Sequence, residues 1–67
     1  MIVVKRIDEK RKFDGETFRC FTVYDTKHDA EVVAAFAKHK GYKFRIVRAK
    51  VGWERRVGYA LFIRKKW

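Results

Sequence analysis

Between Thr26 and Gly41 apolar residues recur every three to four positions: Ala30, Val33, Ala34 and Ala37, with Val32 and Phe36 widening the stripe. That period predicts an amphipathic α-helix over residues 27–40, with Lys27, Glu31, Lys38 and His39 on its polar side. Both ends are marked. Thr26 and Asp29 make a capping-box-like pair at the start, Lys38 and Lys40 suit the negative end of the helix dipole, and Gly41 fits the left-handed closing position.

After Gly41 the period changes to two. Tyr42, Phe44 and Ile46 alternate with Lys43, Arg45 and Val47, and Val57, Tyr59, Leu61 and Ile63 alternate with Arg56, Gly58, Ala60, Phe62 and Arg64. These are two half-buried strands, and Gly52-Trp53-Glu54 reads as the connection between them. Upstream of the helix, Thr17 to Tyr24 is rich in β-branched and aromatic residues, and Asp14-Gly15 is a type I′ turn signal that makes Ile2–Phe13 the partner strand. A two-residue turn there sets Lys10 opposite Arg19, an unfavourable like-charge pair, so the run Asp8 to Lys12 is expected as a bulged or frayed end. The predicted fold is α+β, in the order β-β-α-β-β: one domain over residues 1–67, with a four-stranded, mostly antiparallel sheet and one helix packed on one face. One helix covers one face, which leaves the other open.

Charge gives that open face a use. Lys and Arg number 18 against 8 Asp and Glu, a net +10 that repels itself unless an anionic partner neutralises it. The chain has no Asn, Gln, Ser or Pro, and 39% of its residues are charged, a composition that predicts a protein from a hot environment. Ion-pair networks of that kind raise acids and bases together, so they do not account for the excess of cations. If Tyr42, Phe44, Ile46, Val57, Tyr59, Leu61 and Ile63 face the helix, the opposite face carries Lys43, Arg45, Arg56, Phe62, Arg64 and Lys66. Arg19 and Phe21 extend it if the first hairpin is oriented alike, and Trp53 with Arg55 stands at the tip of the second. Cations release counterions from phosphates, and an exposed ring offers a stacking surface to an unpaired base. These ten residues are the expected nucleic-acid site. RNA or single-stranded DNA is favoured over duplex, with weak sequence specificity, since phosphate contacts carry little sequence information.

Three other readings stand beside this one. A protein-interaction module would dock on an acidic partner or add a strand to it, steered by the same charge. A homodimer would cover an apolar face or the two tryptophans, Trp53 and Trp67. A small ribonuclease built on His28 or His39 stands a distant third.

Candidate catalytic and metal chemistry is otherwise thin. His28 and His39 would lie about 16 Å apart along the helix axis, too far to share one ion. Without Ser there is no hydroxyl-nucleophile triad of the usual kind, and the four glycines are isolated rather than gathered into a phosphate loop. No cofactor, metal or catalytic residue is expected. Cys20 is the lone cysteine, which points to a reducing compartment. The longest uncharged run, Val57 to Ile63, is far short of a membrane span, and a soluble cytoplasmic protein is expected.

Overall fold

A computed structural model describes residues 2–65 of the chain. The helix, α1, spans Lys27–His39. Thr26 caps it as expected, its hydroxyl accepting from the Asp29 N–H at 3.2 Å. At the other end Gly41 takes a left-handed φ of 92° and donates to the Lys38 carbonyl at 3.0 Å.

Five strands accompany it: β1 (Ile2–Val4), β2 (Lys10–Phe13), β3 (Glu16–Tyr24), β4 (Tyr42–Val51) and β5 (Val57–Lys65). They form one mixed sheet in the order β1-β4-β5-β3-β2. The hairpin β2–β3 turns at Asp14 and Gly15, both with positive φ, and holds Lys10 directly opposite Arg19.

The expectation of a four-stranded sheet is corrected here. Ile2–Phe13 is two strands, not one. Asp8 adopts a left-handed φ of 68°, which breaks the strand between them. The chain then departs so that β1 pairs in parallel with β4, on the far side of the sheet from β2. Lys10–Phe13 pair regularly with β3 despite the like charges of Lys10 and Arg19. Of the bulged or frayed run expected over Asp8 to Lys12 only the start is bulged, where the Asp8 N–H and the Glu9 carbonyl both bond to Cys20.

Alternation along β4 and β5 sorts their residues as the sequence predicts. Leu61 and Ile63 face Val33 and Ala37 of α1, where Ala30 and Ala34 are buried. The opposite face is not open. It holds the core cluster of Val4, Phe18, Cys20, Val23, Ala49, Val51, Ala60 and Phe62, with Ile2, Phe13 and Val47 packed against it.

Curvature explains this. In a flat sheet β1 and β2 would stand roughly 19 Å apart, four strand spacings. Here the Arg11 guanidinium on β2 donates to the Val3 carbonyl on β1 at 3.1 Å, and the Glu9 carboxylate accepts from the Lys5 N–H at 3.2 Å. The sheet therefore curls, and its two edges close over its inner face. A small chain with one helix buries its second apolar face against itself.

Candidate nucleic-acid interface

Curling redistributes the ten expected site residues. Phe62 is fully buried, with the Phe13 ring edge-on to it at 5.1 Å between centroids. It is not a stacking surface. The sequence places it on a face that a flat four-stranded sheet would expose, and the curl encloses that face.

Lys43, Arg45 and Arg64 lie at the rim of the inner face, where the β2–β3 turn brings acids to them. Glu16 accepts from Lys43 at 3.0 Å and pairs with Arg64 at 3.1 Å, while Asp14 pairs with Arg45. Arg45 also lies over the Phe13 ring at 5.2 Å. The Lys43 hydrogen bond is the chief cause holding the Glu16 carboxyl below its ordinary range. Arg56 is tied to Asp25 at 2.8 Å and Glu54 at 2.7 Å. These four cations already have carboxylate partners. Lys66, like Trp67, lies outside the described residues.

Arg19 and Phe21 fall on the helix face, not beside Phe62. A β-bulge separates Cys20, which pairs with Phe62, from Thr22, which pairs with Leu61. The extra residue is Phe21. The bulge lets both Cys20 and Val23 enter the core while Phe21 stays 49% exposed on the helix side. There it lines an open groove with two further rings, Phe36 and Tyr42, with the cations Arg19 and Lys40, and with Val33, Ala37, Leu61 and Ile63.

Around that groove the cations are sparsely partnered by carboxylates. Lys10 and Lys12 on β2, Lys65 on β5 and Lys40 at the end of α1 make no ion pair among the described residues, and Arg19 meets only Asp8, at 3.6 Å. Across the sheet, Lys10 stands opposite Arg19, and Arg19 opposite Ile63. A second set, Lys50 and Arg55, flanks the 45%-exposed Trp53 beyond the end of β4, and Arg48, earlier on that strand, lies over the Tyr59 ring at 5.7 Å.

Lys10, Lys12, Lys40 and Lys65, and with them Arg48 and Lys50, were not singled out by sequence reasoning. One signal for the groove is legible: the like-charge pair Lys10–Arg19, which follows from the Asp14-Gly15 turn.

Cys20 takes no part in the groove. It is fully buried, and burial, reinforced by Glu9 and Asp8, pushes its thiol up to about 11. Among the described residues no group of three or more His, Cys, Asp or Glu is placed to hold a metal ion. No described helix is long and apolar enough to cross a membrane. No protein-family model, curated protein or solved structure matches the chain.

Proposed function

We propose that this chain binds nucleic acid on the helix face of its sheet, along the groove between α1 and strands β3 and β5. One observation carries the reading: carboxylates closely partner the cations at the inner rim, whereas of those around the Phe21 groove only Arg19 meets one, Asp8 at 3.6 Å, and Lys10, Lys40 and Lys65 make no ion pair among the described residues. A cross-strand pair of like charges costs stability in the free protein. An anionic ligand relieves that cost. Phe21 supplies an exposed ring among the cations, which suits an unpaired base and favours RNA or single-stranded DNA over duplex.

An acidic protein partner would meet the same charges, but a bed of separate cations flanking the rings of Phe21, Phe36 and Tyr42 matches a phosphate backbone with unstacked bases better than it matches one peptide.

Fluorescence anisotropy with labelled single-stranded RNA, single-stranded DNA and duplex DNA tests this. If Lys10, Lys12, Arg19 and Lys65 each meet a phosphate, single-strand affinity falls about 50-fold between roughly 50 and 200 mM salt. No binding to any of the three at the lower salt, or binding indifferent to salt, would remove the proposal.

A further inference from the structure

The outward face of α1 has a self-complementary pattern that nucleic-acid binding does not explain, although Phe36 and Lys40 at its margin also line the Phe21 groove. Phe36 is 67% exposed, more than any other large hydrophobic described, and Val32, one turn earlier, is 44% exposed. Ala30 and Ala34, on the opposite side, are buried against the sheet. Val32 and Phe36, four residues apart, are neighbours on the helix surface and form one contiguous apolar patch, the kind of feature that suits a contact surface.

The acids identify the occupant. Six of the eight, Asp8, Glu9, Asp14, Glu16, Asp25 and Glu54, pair with a cation of the same chain. The two that do not, among the described residues, are Asp29 and Glu31, both in the first half of α1. Lys38 and Lys40, at its other end, likewise make no ion pair among the described residues.

Positions of these four residues are related. Asp29 and Lys40 are eleven residues apart, close to three full turns, so they share one flank of the helix. Glu31 and Lys38 are seven apart, close to two turns, and share the other. Both pairs are centred on the midpoint between residues 34 and 35. A two-fold axis level with that midpoint, running beside the helix and perpendicular to the plane of the helix pair, reverses chain direction and keeps each flank on its own side.

We infer that a second copy of this chain packs antiparallel on α1 about that axis. Val32 and Phe36 meet at the centre. Asp29 of each copy faces Lys40 of the other, and Glu31 faces Lys38, giving four intermolecular ion pairs. Such an isologous contact needs no other partner. It also leaves both Phe21 grooves opening on one side of the dimer.

Affinity is low, because two short helices bury less than a standard interface and each copy carries +10. Sedimentation equilibrium up to millimolar concentration, near physiological salt, reads it directly. The mass is expected to rise from 8.1 kDa toward twice that value.

Charge variants separate this geometry from bulk repulsion. Lys38→Glu lowers the net charge, which alone would favour association. In the dimer it sets Glu31 against a new carboxylate, and the dissociation constant rises about tenfold or more. Adding Glu31→Lys restores association at the original net charge. Phe36→Ala weakens it as well, and circular dichroism of each variant verifies that the helix is intact. Three outcomes would each overturn the inference: a mass fixed at 8.1 kDa throughout, tighter association of Lys38→Glu, or no rescue in the double variant.

Discussion

Phe62 sits where the closing edges of the sheet meet, buried beneath Phe13 on a strand whose neighbours Ala60 and Leu61 are buried too. Its ring fills space that no smaller side chain can fill, so Phe62→Ala is expected to cost about 3–5 kcal/mol of stability, read as a shift in the midpoint of denaturant unfolding. At conditions where the variant remains folded, single-strand affinity stays close to that of the original chain. A large loss of affinity with stability unchanged would return Phe62 to the binding surface. Phe21, next to the buried Cys20 on β3, has the opposite fate because a single bulge moves it out of the alternation. Ring chemistry is the same at both positions; register decides which ring is available to a ligand.

At the scale of elements, Lys10 and Arg19 are the informative pair. Their pairing across β2 and β3 is fixed by the turn at Asp14 and Gly15, and only the exposed Asp8 carboxylate, 3.6 Å from Arg19, offsets the repulsion. Lys10→Glu turns it into attraction and is expected to stabilise the free protein by ~0.5 kcal/mol, measured by denaturant unfolding. Lower stability in that variant would mean that the pair carries no strain.

The helix, the β2–β3 turn and the alternation of β4 and β5 are legible in the sequence because each rests on local rules: a cap, a turn requiring positive φ, a period of two. The division of Ile2–Phe13 into two strands is not. It depends on Asp8 taking a left-handed conformation and on Ile2 and Val4 finding Ala49 and Val51, a non-local pairing with no local signal. The bulge at Phe21 is hidden for a similar reason. Cys20, Phe21, Thr22 and Val23 all suit a strand, and only the demand that both Cys20 and Val23 reach the core forces one extra residue. Because the curl follows from the split strand, sequence reasoning placed Phe62, Lys43, Arg45 and Arg64 on an open face that does not exist.

Across the whole molecule, folding sorts the charge into two populations. One is neutralised internally at the rim of the curled face; the other surrounds the Phe21 groove and the Trp53 tip. This sorting makes location testable apart from amount. Lys10→Ala/Lys65→Ala and Lys43→Ala/Arg45→Ala each lower the net charge from +10 to +8. The most direct test is the salt dependence of single-stranded RNA binding by these two variants, followed by fluorescence anisotropy. The groove variant is expected to lose about 1.4 from the slope of log affinity against log salt, the share of two phosphate contacts, while the rim variant keeps the original slope. Equal changes in the two variants, or a loss confined to the rim variant, would contradict a binding site on the helix face.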